Sequence, residues 1–194
     1  MATKAPRVRH VILDRDGVLN VEAPNRGYIT RPESWQWLPG AREALALLTR
    51  AGIRVSVATN QSGVGRGLMS AADLEAVHAR MRREALAAGG RIDALYACPH
   101  APEAGCPCRK PAPGLIEEAI AAAQVPACET LVVGDDGRDL QAADAAGVPA
   151  ALVLTGKGRA AAALSPRTVP VYDDLLALAR ALVGPGSGEG IGPS

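Results

Sequence analysis

Short apolar segments alternate along this chain with longer segments of helical periodicity. The apolar segments predict buried strands, because short apolar runs between turn residues are typical of a sheet that is covered on both faces. They lie at residues 11–13, 53–58, 92–97, 131–133 and 149–156.

The segments between these strands predict amphipathic helices. Residues 38–52 have Pro39-Gly40 near the start and Gly52 at the end, as expected for helix boundaries. A capping box begins at Ser70, and Leu74, Val77 and Met81 follow at helical spacing, so this stripe is interpreted as core. Three more helices are predicted at residues 113–124, 138–147 and 172–182.

This order predicts an α/β fold: a Rossmann-like, mainly parallel sheet with helices on both faces. The chain has 194 residues, which suits a single domain, expected at residues 8–183. Residues 1–7 are expected to be a flexible N-terminus. The Gly-rich stretch 184–194 has no periodicity and is expected to be a disordered tail.

The charge pattern excludes several classes of partner. There are 21 basic and 20 acidic residues, so no phosphate-backbone footprint for nucleic acid is expected. No apolar run approaches the roughly 18 residues of a membrane span, and none near the N-terminus resembles a signal-peptide core. We therefore expect a cytoplasmic protein that binds neither nucleic acid nor a membrane.

Polar residues follow three of the predicted strands. Asp14 and Asp16 follow the first, Thr59-Asn60 the second and Asp135 the fourth. Ligands of open α/β sheets bind at the carboxyl ends of the strands, where these residues are predicted to meet. Each aspartate alone could be a turn former or a helix cap, but the set favours a site for Mg²⁺, which prefers oxygen ligands.

A cysteine-rich loop covers residues 98–108. Cys98, His100, Cys106 and Cys108 match the ligands of tetrahedral zinc, and four such ligands would make the site structural. A disulfide knot is disfavoured in the cytoplasm, and a redox pair would favour a Cys-x-x-Cys spacing, which the loop lacks. Cys128 is expected to be a buried small residue. His10 and His78 are expected at the surface or the edge of the core.

Four motifs in order resemble those of haloacid-dehalogenase-type (HAD-type) phosphatases. They are DRDGVLN at 14–20, TNQS at 59–62, Lys110, and GDDGRD at 134–139. The resemblance extends over roughly residues 8–183 and implies a HAD-like fold. The intervals between Asp16 and Thr59 and between Thr59 and Lys110 are too short for a full cap domain, so an open, capless site is expected.

The resemblance implies a role for each motif residue. Asp14 would be the nucleophile that forms an aspartyl-phosphate, and Asp16 the general acid and base. Thr59 and Lys110 would hold the phosphoryl group. Mg²⁺ would be bound by Asp14, Asp135 and the backbone carbonyl of Asp16. Asp139 would orient Lys110 or a metal-bound water.

The zinc loop and TNQSGVGRG narrow the resemblance. Both heptose 1,7-bisphosphate 7-phosphatases and histidinol-phosphate phosphatases carry such a loop, but Ser62 and Arg66 are more similar to the heptose group. That group implies a small sugar bisphosphate as substrate, bound by Asn60, Gln61, Ser62 and Arg109 and by segment 22–28.

The sequence leaves alternative activities open, and at one position it departs from the pattern of some relatives. Histidinol-phosphate phosphatase is the alternative activity, and a sugar-phosphate-binding module without turnover is disfavoured because Asp14 and Asp16 are both intact. Asp136 stands where some relatives have a lysine that contacts substrate. No exposed apolar stripe favours assembly, so a monomer is expected.

Overall fold

The computed structural model describes residues 7–24 and 27–184, in which one parallel sheet lies between two layers of helices. The strands are β1 (His10–Leu13), β2 (Arg54–Asn60), β3 (Ala94–Cys98), β4 (Thr130–Gly134), β5 (Ala150–Val153) and β6 (Val171–Tyr172). The helices are α1 (Ala41–Arg50), α2 (Ala71–Ala87), α3 (Gly114–Ala123), α4 (Gly137–Ala145), α5 (Gly158–Leu164) and α6 (Leu175–Val183). This confirms the predicted α/β class.

The sheet is buried on both faces, which explains its apolar strands. Val11 and Leu13 of β1 belong to the core beneath α1, α2 and α6. Ile12, between them, belongs to the opposite core beneath α3 and α4. Successive side chains of a strand point to opposite faces, so a strand between two helical layers is apolar at neighbouring positions as well as at alternate ones.

The strand order β3-β2-β1-β4-β5-β6 determines where a ligand can bind. β2 pairs with one edge of β1, and β3 pairs with the far edge of β2. The chain then crosses back, and β4 pairs with the other edge of β1. The crevice at this reversal lies at the carboxyl ends of β1 and β4. Asp14 directly follows β1, and Asp135 directly follows β4.

No cap domain interrupts the fold within residues 7–24 and 27–184. A 3₁₀ turn (Pro32–Ser34) and α1 connect β1 to β2, and α2 connects β2 to β3. The described residues therefore form the sheet and its helices without an inserted domain. None of the described helices is long and apolar enough to cross a membrane. The two predicted disordered ends lie outside the described residues, except Arg7 and Gly184.

Two elements were not predicted from sequence. β6 has two residues, and α5 has the sequence GRAAAAL, which has no apolar periodicity. β6 pairs with β5, and β5 itself is shorter than the predicted strand at 149–156. The last helix begins at Leu175 rather than at residue 172. It begins there because the Asp174 carboxylate accepts a hydrogen bond from the Ala177 amide at 2.8 Å.

Three side-chain predictions were wrong. Cys128 is exposed, because it lies in a surface 3₁₀ turn (Ala127–Glu129) before β4. His10 and His78 are buried, with 0% and 2% of their surface exposed. Each has a polar partner: His10 Nε2 lies 2.9 Å from Ser56 Oγ, and His78 Nε2 lies 3.1 Å from Arg15 Nη1.

His10 should make folding sensitive to mild acid. Burial, with the charge of Arg54, lowers its pKa to about 4 from an ordinary value of 6.5. Between these values the unfolded chain binds a proton that the folded chain does not, so this contribution is complete above pH 6.5 and lost as the pH falls toward 4.

We therefore expect the free energy of unfolding of the wild type to fall by about 2 kcal/mol more than that of His10→Gln between pH 7 and pH 4.5. Urea unfolding at the two pH values measures this difference. Parallel losses in the two proteins would show that His10 is not a source of the acid sensitivity.

Candidate active site

Three carboxylates converge at the end of the sheet. One oxygen each from Asp14, Asp135 and Asp139 lies within 4.8 Å of the others. Burial raises the pKa of Asp14 to about 7 and that of Asp135 to about 8, and the charge of Asp14 adds to the effect on Asp135. Buried carboxylates that repel each other fit a hard divalent cation, which would favour their ionised forms.

Lys110 supplies the positive charge next to these carboxylates. Its Nζ lies 3.0 Å from Asp14 Oδ1 and 2.5 Å from Asp139 Oδ1, and it donates to the Ala58 carbonyl at 2.7 Å. Burial acts to lower the pKa of Lys110, but Asp139 and Asp14 outweigh it and hold the pKa above its usual value. Lys110 is therefore charged, and its ammonium group points toward Asp14. Asp139 holds Lys110 in this orientation, which is one of the two roles predicted for Asp139.

Asp16 is held by a set of donors behind the cleft. Its Oδ1 accepts from Asn20 Nδ2 at 3.0 Å and from Arg15 Nη2 at 3.0 Å, and its Oδ2 accepts from Gln61 Nε2 at 2.7 Å. Burial acts to raise the pKa of Asp16, but Arg15, together with these hydrogen bonds, outweighs it and lowers the pKa. The carboxylate of Asp16 lies outside the Asp14–Asp135–Asp139 cluster, consistent with a role other than a side-chain metal ligand.

The TNQS motif forms the wall beside β2. Asn60 makes a two-way pair with the backbone of Lys110: its Nδ2 donates to the Lys110 carbonyl at 2.9 Å, and its Oδ1 accepts from the Lys110 amide at 3.0 Å. Gln61 Nε2 also donates to Thr59 Oγ1 at 2.9 Å. Ser62 Oγ lies 2.9 Å from the Tyr28 hydroxyl. All four motif residues line the cleft, and three of them also position other site residues.

These groups surround a cleft of about 410 Å³. Its rim carries Glu22, Tyr28, Arg109, Arg138 and Lys157. Neither Arg138 nor Lys157 was predicted as a site residue: Arg138 lies within the GDDGRD motif but was given no role there, and Lys157 lies outside the four motifs. Lys157 is paired with Glu22, and its backbone amide donates to Asp135 Oδ2 at 2.8 Å. Residues 25–26 of the predicted substrate segment lie outside the described part of the chain.

Gly134, the last residue of β4, leaves the space that Asp139 occupies. A Cβ built on Gly134 would overlap the Cβ and the carboxylate of Asp139. We expect Gly134→Ala to displace Asp139 from Lys110, lowering kcat/KM about tenfold or more and the free energy of unfolding by about 1–3 kcal/mol.

Gly137 offers a matched control, because a Cβ there meets nothing within 4 Å. Gly137→Ala should change the free energy of unfolding by less than about 0.5 kcal/mol. Phosphatase kinetics and urea unfolding of both variants measure the contrast. Equal effects of the two substitutions would contradict the role assigned to the Gly134 contact.

The cysteine loop folds into a compact four-ligand cluster. Cys98 Sγ lies 3.5 Å from Cys106 Sγ and 3.6 Å from His100 Nδ1, and Cys108 Sγ lies 3.4 Å from Cys106 Sγ and 3.3 Å from His100 Nδ1. Ligands around zinc at about 2.3 Å would be about 3.8 Å apart in a tetrahedron, so the cluster is close to zinc geometry. No disulfide joins these cysteines.

The acid–base properties of the cluster also fit a metal. Burial, with the neighbouring thiols, raises the pKa of Cys108 to about 12. Burial acts in the same direction on Cys106, but hydrogen bonds from Cys108 and Cys98 outweigh it and lower its pKa to about 6. The sulfurs lie within hydrogen-bond distance of one another, and a bound dication would favour their thiolate forms.

Comparison with known proteins agrees with this geometry. Residues 107–178 match the HAD-hydrolase-like family model. The chain is 44% identical over 170 residues to the D-glycero-β-D-manno-heptose-1,7-bisphosphate 7-phosphatase of Neisseria meningitidis serogroup A, a match that covers 86% of this chain and 90% of the relative. The chain belongs to the heptose-1,7-bisphosphate 7-phosphatase family of HAD-like hydrolases.

Other members of the heptose-1,7-bisphosphate 7-phosphatase family extend the similarity. The D-glycero-α-D-manno-heptose-1,7-bisphosphate 7-phosphatase of Mycobacterium tuberculosis is 39% identical over 153 residues, covering 75% of this chain and 79% of that protein. The crystal structure of the D,D-heptose 1,7-bisphosphate phosphatase of B. bronchiseptica, complexed with magnesium and phosphate, aligns with a TM-score of 0.86. It is 43% identical, and the alignment covers 91% of this chain and 98% of that chain.

Proposed function

We propose that this protein is a Mg²⁺-dependent phosphatase that removes the 7-phosphate of D-glycero-D-manno-heptose 1,7-bisphosphate. Such a reaction serves the synthesis of activated heptose for surface polysaccharide. The observation that carries the proposal is the placement of Lys110 between Asp14 and Asp139, in a family whose relatives are named for this substrate. Histidinol phosphate is the alternative substrate that the zinc loop allows.

The proposed reaction has two steps, both at phosphorus. A carboxylate oxygen of Asp14 attacks the 7-phosphoryl group, and the bond between phosphorus and the C7 oxygen breaks. The charge of the bound phosphate dianion would raise the pKa of Asp16 above its value in the free protein, so that Asp16 can hold a proton and give it to that leaving oxygen. Asp16 then takes a proton from a water molecule, which attacks the aspartyl-phosphate, releases phosphate and restores Asp14.

Lys110 and Thr59 stabilise the phosphoryl group in this scheme. Lys110 is charged and next to Asp14, where negative charge would otherwise oppose attack on a phosphate dianion. Mg²⁺ would be held by Asp14, Asp135 and the backbone carbonyl of Asp16, and it supplies charge neutralisation at the phosphoryl oxygens. Zinc would be bound by the four-ligand cluster in the loop and would be structural.

Two arginines support a bisphosphate as substrate. Arg109 and Arg138 line both the cleft and an adjoining cavity of about 520 Å³ beside the zinc loop. The Nη1 of Arg109 is buried and has no hydrogen-bond partner among residues 7–24 and 27–184. Arg138 is oriented by Asp136, whose Oδ2 accepts from Arg138 Nη2 at 2.7 Å.

We infer that Arg109 and Arg138 contact the 1-phosphate. Planar guanidinium groups match the oxygens of a phosphate dianion. Asp136 stands where some relatives have a cationic residue, and Arg138, two positions later, brings a positive charge to the same rim. Asn60, Gln61 and Ser62 contact the sugar side of the substrate. The balanced charge of the chain supports a small molecule rather than nucleic acid as the partner. A monomer and a cytoplasmic location stay predictions from the sequence.

A direct assay tests the substrate. The wild type is expected to release phosphate from at least one anomer of heptose 1,7-bisphosphate. Its kcat/KM for that anomer should be at least about a hundredfold above the value for histidinol phosphate, because histidinol phosphate lacks the second dianion. Phosphate release in the presence of Mg²⁺ measures both. A higher kcat/KM for histidinol phosphate would reverse the assignment, and no turnover of any phosphate ester would favour a binding module.

A further inference from the structure

A buried arginine stands between the two proposed catalytic aspartates in the sequence, and its side chain lies between Asp16 and His78. Arg15 has 1% of its side chain exposed. Its Nη2 lies 3.0 Å from both carboxylate oxygens of Asp16. Its guanidinium carbon lies 5.8 Å from the centre of the Trp35 ring, within the range of a cation–π contact. The two terminal nitrogens of Arg15 have partners, whereas its Nε is buried with no hydrogen-bond partner among residues 7–24 and 27–184, so the contacts of Nη1 and Nη2 fix the position of the guanidinium.

His78 contacts Arg15 on the side away from Asp16. Its Nε2 lies 3.1 Å from Arg15 Nη1. A guanidinium group can only donate, so the Nε2 of His78 is the acceptor and the imidazole is neutral, with its proton on Nδ1. Burial, together with the charge of Arg15, lowers the pKa of His78 to about 3, which agrees with the neutral form.

Helix α2, which carries His78, is tied to the segment that carries Trp35. Trp37 Nε1 donates to Glu84 Oε2 at 2.7 Å, and Arg80 donates to the Pro32 carbonyl. These bonds hold the two partners of Arg15 on one rigid unit. Neither His78 nor Trp35 lines the active-site cleft, so neither can contact substrate there.

We propose that His78 is a positioning residue for Asp16 and acts through Arg15. The inference rests on the proposed function, because it requires Asp16 to be the general acid. Without an acceptor at residue 78, Arg15 Nη1 loses its buried partner and the guanidinium shifts. The Asp16 carboxylate, bound through both oxygens to Arg15 Nη2, shifts with it, and acid catalysis depends on placement within a fraction of an ångström.

The nature of the leaving group separates this role from a general structural one. A sugar alkoxide leaves only with a proton from the acid, whereas p-nitrophenolate and acetate are stable anions and need none. The value of kcat/KM covers steps up to the transfer of the phosphoryl group to Asp14 and excludes the later attack by water. The ratio of kcat/KM for the two kinds of substrate therefore measures the acid step.

The test compares heptose 1,7-bisphosphate with two activated substrates, p-nitrophenyl phosphate and acetyl phosphate. His78→Leu is expected to lower kcat/KM for the sugar phosphate about tenfold or more, and for the activated substrates less than about threefold. His78→Gln should recover most of the loss, because its amide oxygen can accept from Arg15. His10→Gln replaces another buried histidine, at the opposite end of β1 from Asp14, and should leave all three values unchanged.

Asp16→Asn distinguishes failure of this inference from failure of the proposed function. It should lower kcat/KM for the sugar phosphate about 10²–10⁴-fold, and much less for the activated substrates. An equal loss on all substrates in Asp16→Asn would overturn the acid role and, with it, the inference. If the loss of kcat/KM in Asp16→Asn depends on the leaving group while His78→Leu lowers kcat/KM equally for all substrates or for none, the inference about His78 alone is wrong. Thermal unfolding of each variant reports whether it folds.

Discussion

Asp14→Asn is expected to abolish phosphate release from heptose 1,7-bisphosphate, with a loss in kcat of at least about 10³-fold. An amide is not a nucleophile toward phosphorus, so no aspartyl-phosphate can form. Asparagine keeps the size of the side chain and one oxygen near Lys110, and the loss therefore reports chemistry rather than packing. Single-turnover phosphate release with Mg²⁺ measures it.

Asp14→Asn should keep or increase the free energy of unfolding, in contrast to its loss of turnover. Burial raises the pKa of Asp14 to about 7, so the charged carboxylate is unfavourable in the metal-free protein. Asparagine removes this charge, and Lys110 keeps its pair with Asp139. Urea unfolding without added Mg²⁺, in protein that keeps its zinc, should therefore show a free energy of unfolding within about 1 kcal/mol of the wild type, or higher.

Asp144→Asn is the matched control, since Asp144 is exposed on α4 outside the cleft. Wild-type turnover is expected for it. Retention of more than about a tenth of wild-type turnover in Asp14→Asn would rule out this residue as the nucleophile.

Cys106→Ser is expected to remove the zinc and to destabilise the whole chain. The wild type should contain about one zinc per chain, because the four ligands form a closed tetrahedral set. Zinc binding contributes directly to folding free energy, so its loss should lower the free energy of unfolding by at least about 3 kcal/mol. Elemental analysis and thermal unfolding of the two proteins measure these effects.

The same substitution should reduce activity indirectly. Arg109 and Lys110 directly follow the last ligand, Cys108, so disorder in the loop would displace both cations from the cleft. Cys128→Ser is the matched control, because Cys128 is exposed and lies outside the cluster. A zinc-free protein with full activity and an unchanged melting temperature would refute the structural zinc site.

Local patterns predicted most of the secondary structure. Parallel strands such as β1 and β4 are short and have an unbroken apolar run after a single polar residue, and turn residues bound the helices, so these elements can be recognised from the local sequence. β6 could not be predicted, since two residues form a strand only because β5 offers an unpaired edge. His10 and His78 could not be placed either, because their burial depends on partners 46 and 63 residues away in the chain.

The sequence by itself determined the α/β class and the four motifs, and it predicted the four loop residues that the fold brings together, because strand ends and side-chain types are local properties of the chain. Only the tertiary structure decided how these groups act on one another. It placed Asp139 against Lys110, Asp136 against Arg138, and Arg15 between Asp16 and His78. These contacts join separate elements or depend on the orientation of a helix, and Coulomb and hydrogen-bond energies depend on distance in space rather than along the chain.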